Sequence, residues 1–130
     1  MRGSQDQVRP GAIHILPECP PLHGDELKDR PVVVVSAYPE DGIVVVAVST
    51  KVSLSVQDRV RLPDLSTQPQ TKSGLWEPCW AVPEWYLVVR VGELGRKIGY
   101  IGGESLRKIV KAVQVHIALG DPPVKRRARP

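Results

Sequence analysis

The sequence predicts a mainly β protein: a small, strongly bent antiparallel sheet or barrel, with one C-terminal amphipathic helix over part of it. Three observations carry this. Two valine-rich runs, "PVVVVS" and "IVVVAVS", flank a short turn. Proline is abundant, at 13 residues, and falls mostly outside those runs, as expected of turns joining short strands. Only the last segment, near residues 104–119, has a 3.6-residue apolar period.

In chain order, residues 1–9 are polar and read as a flexible N-terminus. "GAIHIL" (Gly11 to Leu16) has strand composition, with Ala12, His14 and Leu16 on one face and Ile13 and Ile15 on the other. A loop rich in proline and charge, "PECPPLHGDELKD", follows. "RPVVVVSAY" reads as a strand buried on both faces, because its valines do not alternate with polar residues. "PEDG" (Pro39 to Gly42) is a turn, and "IVVVAVST" (Ile43 to Thr50) is the returning arm of the hairpin. Val52, Leu54 and Val56, then Val60 and Leu62, alternate with polar residues as half-exposed strands do. "DLSTQPQTKSG" is a polar loop. "WEPCWAVPEWYLVVRV" opens irregularly and ends in a strand from Tyr86 to Val91, and "KIGYI" (Lys97 to Ile101) is a short strand.

The helix runs from Glu104 to Leu119. Leu106, Ile109, Val110, Val113 and Ile117 form its apolar side, and Arg107, Lys108 and Lys111 lie opposite. Glu104 suits the positive end of the helix dipole, and Gly120 suits its stop. Val and Ile are mediocre helix formers, so tertiary packing must hold it.

The apolar fraction of 42% in 130 residues supplies the core of one domain, placed at residues 10–120. The net charge is +4, and its excess is local. Removing Lys125, Arg126, Arg127 and Arg129 from the 18 basic residues leaves 14, which matches the 14 acidic ones. Residues 121–130 therefore read as a disordered basic tail, either a solubilising end or a loose hold on a polyanion. Two cysteines, Cys19 and Cys79, make no disulfide framework. With His14, His23 and His116 they show no metal-ligand spacing, so neither a metal nor another cofactor is expected. No signal peptide or membrane span is apparent, so the expected compartment is the reducing cytoplasm.

Several motifs in this order resemble the MazF/PemK family of toxin ribonucleases. "RPGAIHIL" looks like the family's opening strand. "DRPVVVVS" resembles its "R-P" step into a hydrophobic strand, and "VVVAVST" its second hydrophobic strand, which ends in a small residue and Thr. "KIGYIGGESLRKIVKAVQVHIALG" resembles its closing strand and helix. The resemblance implies an SH3-like β-barrel that forms a homodimer and cuts single-stranded RNA without a metal. It also implies a cognate antitoxin that holds the enzyme inactive. It carries the family's active-site pair onto Arg30 and Thr50. His23, Asp25 and Glu26 fall in the loop before Arg30, where such toxins tend to carry a carboxylate, and an imidazole suits proton transfer at neutral pH. Relatives often read Asp/Glu-Gln-Ile-Arg where this chain has "EWYL", so Trp85 replaces the Gln and Leu87 the Arg.

The chemistry fits Arg30. Attack by a 2′-OH on the adjacent phosphodiester builds charge on phosphorus, and a guanidinium keeps its own charge at all pH values and can meet two phosphoryl oxygens. Pro31 and the valines behind it make a stiff platform. A solvated Arg30 beside an ordinary β-strand Thr50 is the competing reading of the pair. Lys51 adds a cation beside Thr50. Trp76, Trp80 and Trp85 crowd one segment. Exposed, they would stack on unpaired bases or bind a protein; buried, they would fill a core that has no Phe, as is expected for Trp80. Lys51, Trp76 and Trp85 are the expected RNA-binding residues. The alternative to a nuclease is a non-catalytic SH3-like binding module for a protein or nucleic-acid partner.

Overall fold

The computed structural model describes residues 8–38, 42–51 and 59–125. Among the described residues six strands form one antiparallel sheet: β1 (Ala12–Cys19), β2 (Lys28–Tyr38), β3 (Gly42–Ser49), β4 (Val60–Leu62), β5 (Cys79–Val89) and β6 (Lys97–Tyr100). Their spatial order is β4-β5-β3-β2-β1-β6. The sheet curls into a half-barrel, and one helix, α1 (Gly103–Ala118), packs against it.

The valine runs explain the arrangement. In β2 and β3 the residues alternate between two apolar clusters, one on each face of the sheet. Val32, Val34, Ile43, Val45 and Ala47 join Leu16, Val82, Trp85 and Leu87 on the inner face. Val33, Val46 and Val48 join Ile13, Leu62, Tyr86, Ile109 and Val113 on the face that α1 covers. Both central strands are thus buried on both sides, which uninterrupted valines allow and alternating sequences do not. At the hairpin Tyr38 pairs with Gly42. Gly42 has φ +95°, and a Cβ there would come within 2.8 Å of Val88 Cγ1, so glycine is required. The expected turn at Pro39–Gly42 otherwise lies outside the described residues, as do Val52, Leu54 and Val56.

Three expectations need correction. β1 continues through Pro17 to Cys19, past a register shift at which Glu18 adopts φ 52°. β5 begins at Cys79, well before Tyr86. Pro83, which reads as a strand breaker, sits where the β3–β5 register shifts between Val46↔Tyr86 and Val48↔Ala81, so its missing N–H costs the ladder nothing. The 64–74 segment is a mostly exposed polar loop, as expected, and it is rooted on a buried carboxylate. Asp64 at its head is fully buried; it accepts hydrogen bonds from Ser66 N at 3.1 Å, Thr67 Oγ1 at 2.8 Å and Arg61 Nη2 at 3.2 Å, and also from Ser66 Oγ. On α1, Ile109 and Val113 are buried as expected, but Ile117 is exposed, with Val115 and Leu119.

The packed chain also extends past both expected ends. Val8 is buried in the inner cluster. Among the described residues β4 pairs with Cys79–Ala81 of β5 and no strand pairs with the rest of that edge. Residues 121–125 run there: Val124 N donates to Tyr86 O at 2.8 Å, Tyr86 Oη donates to Asp121 O at 2.6 Å, and Val124 packs on the inner cluster. Arg126, Arg127 and Arg129 lie outside the described residues.

Candidate active site

The β2–β3 register brings the expected pair to one end of the sheet. Val32 lies opposite Ala47. Continuing two residues outward sets Arg30 beside Ser49, the last residue of β3, with Thr50 next in an exposed bend. Opposed residues in an antiparallel pair share a face. Arg30 therefore points to the inner face with Val32, and Ser49 is the β3 residue that shares it. Sequence reasoning passed over Ser49 in favour of Thr50. Its Oγ accepts from Lys51 N at 3.1 Å, which folds the chain sharply after the strand. Lys51 is exposed at this rim.

Arg30 is half-buried, and the ring of Trp85 holds it. Its guanidinium carbon lies 4.7 Å from the ring centroid. The indole N–H of Trp85 donates to Pro20 O at 3.0 Å, so the ring is fixed at its edge as well. Trp85 is buried, at 6% exposure. This corrects its assignment as an RNA-stacking platform: one face carries Arg30, and the ring closes the inner cluster. Arg30 Nε is buried and has no hydrogen-bond partner among the described residues. Such a donor costs free energy until an acceptor reaches it.

The loop between β1 and β2 is anchored beside this pair, by Pro20 on the indole and by Leu22 on the inner cluster. His23, Asp25 and Glu26 lie beyond these anchors and are all exposed. Glu84 is half-buried next to Trp85. Leu87 is fully buried in the inner cluster, so no cation stands there. Trp76 is 78% exposed in the loop before β5, and no ring contact joins it to Arg30. His14, read as lying on a strand face, is buried, and its Nδ1 is 3.0 Å from Gly95 O.

Three more groups stand on this rim. Arg61 lies opposite Trp80, and Trp80 opposite Ser49. The guanidinium of Arg61 lies 5.3 Å from the Trp80 ring centroid. Trp80 is half-buried and is not the core plug expected of it. Arg59 donates to Lys51 O at 3.3 Å, which braces the bend after Thr50. The Asp64 carboxyl is held down to about 2, chiefly by the Ser66 hydroxyl against the opposing effect of burial, with Thr67 and Arg61 adding to it. It is therefore a fixed anion that orients Arg61. Burial, and then the Asp64 charge, push the Cys79 thiol up to about 11.

A rim with Arg30, Lys51, Arg59 and Arg61 can receive phosphate oxygens, and Arg30 sits rigidly enough to stabilise charge on one of them. No protein-family model matches the chain, and no curated protein matches it. Solved structures do. The Mycobacterium tuberculosis toxin MazF-mt6 is similar at 19% identity and TM-score 0.59, over 82% of this chain and 96% of its own. An endoribonuclease from mycobacterial species is similar at 16% identity and TM-score 0.55, over 89% of this chain and 94% of its own. A mycobacterial endoribonuclease in complex with its cognate antitoxin is similar at 16% identity and TM-score 0.54, over 90% and 97%. At these TM-scores the curled antiparallel sheet and terminal helix described above are the MazF-type fold.

Proposed function

We propose that the protein is a toxin-type endoribonuclease that cleaves single-stranded RNA by attack of the neighbouring 2′-OH, with no metal required. The observation that carries this reading is Arg30: a half-buried guanidinium, stacked on Trp85, with an unpartnered buried Nε at the rim where β3 ends. In the reaction the 2′-oxygen bonds to phosphorus and the bond to the 5′-oxygen breaks. Arg30 stabilises the charge that builds on the phosphoryl oxygens. The hydroxyl of Thr50 donates to one of those oxygens, and Lys51 attracts the strand. A base takes the 2′-OH proton and an acid returns one to the leaving oxygen. His23, Asp25 and Glu26 are the candidates, on a loop rooted at Pro20 beside Trp85. A cyclic phosphate and a free 5′-OH result.

The MazF-type fold supports this reading, as does the similarity to a MazF toxin and to a mycobacterial endoribonuclease. The complex of one of them with its antitoxin supports an antitoxin as the protein partner here. Assembly is proposed to be homodimeric, in the cytoplasm. The test is cleavage of an unstructured RNA in excess EDTA. The wild type should cut it, and Arg30→Ala should not while keeping its thermal transition. Equal cutting by the two proteins would refute the assignment.

A second reading has its own observation. Trp85 and Leu87 stand where the resemblance to MazF/PemK toxins would place a Gln and an Arg, and Leu87 is fully interior. A barrel that binds a partner without cleaving would show no RNA products and would keep its partner in the Arg30→Ala variant.

A further inference from the structure

We propose that Arg61 and Trp80 form a second nucleotide subsite on the Arg30 rim, so that the site takes a single-stranded RNA running across four strands. This rests on the RNA-directed reading above and extends it. The register carries the argument. Arg61 in β4 opposes Trp80 in β5, and Trp80 opposes Ser49 in β3. Arg30 in β2 follows by two residues from Val32↔Ala47. These four residues form one row, and opposed residues share a face. Their neighbours agree. Val82, Ala47 and Val32, each two positions along its strand, all lie in the inner cluster, while Val60 and Leu62 beside Arg61 belong to the other face.

The row repeats one chemical unit at its two ends. Arg30 stacks on Trp85 at 4.7 Å and Arg61 on Trp80 at 5.3 Å. At the backbone the two residues stand three strand spacings apart, roughly 14 Å measured along the sheet. A ligand that engages each cation on its own tryptophan presents an anionic group to each, as successive phosphates of one strand do. Arg61 is built for contact. Its side chain is 48% exposed, and one Nη2–H is spent on the fully buried Asp64, which fixes the plane of the fork. A guanidinium has five donors, so others remain for a phosphate, and its outer face can stack an unpaired base. A polyanion with planar groups fits this row better than an acidic peptide, which has nothing flat to lay on it.

Binding of uncleavable 2′-O-methyl oligonucleotides tests the subsite, using a dinucleotide and an octanucleotide with the intact protein. Wild type should prefer the octamer. Arg61→Met, which keeps the apolar stem, should reduce that preference about tenfold, the scale of one lost stacking contact. The salt slope of octamer binding should fall by about 0.7, the value for one phosphate contact on a single strand. Arg61→Lys should restore the slope but not the whole preference, and Trp80→Leu should lower the preference with the slope unchanged. Thermal transitions report whether each variant is folded, and a variant that unfolds leaves the other two to decide. An unchanged length preference in Arg61→Met or Trp80→Leu overturns the subsite, as does an octamer that wild type fails to bind. If RNA is cut but length preference ignores Arg61, the subsite falls and the nuclease stands; an Arg61-dependent octamer site in a protein that cuts nothing gives the reverse.

Discussion

Trp85→Leu, combined with Arg30→Met, isolates the contact on which the site depends. Leu keeps an apolar body in the inner cluster but removes the π face under the guanidinium and the N–H bonded to Pro20 O. Met keeps the stem of Arg30 and removes its charge. Each single change carries unrelated costs, including the unpaired Pro20 carbonyl at about 1–3 kcal/mol. Those costs cancel in the cycle, and what remains is the Arg30–Trp85 coupling. An exposed cation–π pair is worth about 0.5–1 kcal/mol and a desolvated one about 2, so a half-buried guanidinium over a buried ring should give about 1–1.5 kcal/mol. Urea unfolding of the four proteins measures it directly. In the RNA assay Trp85→Leu should lower kcat/KM about five- to tenfold, because a loosened Arg30 is a misplaced one. Trp85→Phe, which keeps a ring, should retain most activity. Coupling below about 0.3 kcal/mol, the level of simple additivity, would refute the claim that Trp85 holds Arg30.

Other outcomes follow from the packing. Asp64 is depressed to about 2, so it contributes stability above its unfolded value that is lost as pH falls through about 2; Asp64→Asn should flatten the acid limb of a Tm-versus-pH series. Ile109→Ala empties the fully buried seat of α1 and should cost about 2–5 kcal/mol in denaturant unfolding. Cys79 is buried with its thiol raised to about 11, and should react with an aromatic disulfide at pH 8 only after denaturation. Gly74→Ala should lower Tm markedly, since Gly74 has φ +74° and a Cβ there would collide with the Ile98 carbonyl.

The hairpin and the helix were legible because a single residue-level signal specifies each. Unbroken valines required two-sided burial, and Val33, Val34, Val45 and Val46 have it. The 3.6-residue period placed Ile109 and Val113 correctly but could not show that α1 runs on past the sheet at Ile117. Arg30 and the end of β3 could be matched because a short turn ties their register. The rest of the site depends on pairings between distant segments. The first part of β5 lies in the segment that reads as irregular, and without it Trp80 had no partner row, so neither Arg61 nor Ser49 could be set beside Arg30. Asp64 was hidden by its own surroundings: Ser66 and Thr67, exposed residues of the same polar loop, are its hydrogen-bond donors.

The strap formed by residues 121–125 bears on how the basic C-terminus is dissected. Val124 is stitched to Tyr86, so residues 121–125 are seated on the sheet, and the cations at 126, 127 and 129 follow them in the sequence. Deleting everything after Gly120 would unseal one border of β5 and discharge the terminus in the same stroke, so lost binding and exposed sheet edge would be confounded. A stop codon directly after Lys125 leaves the strap seated and asks about charge alone.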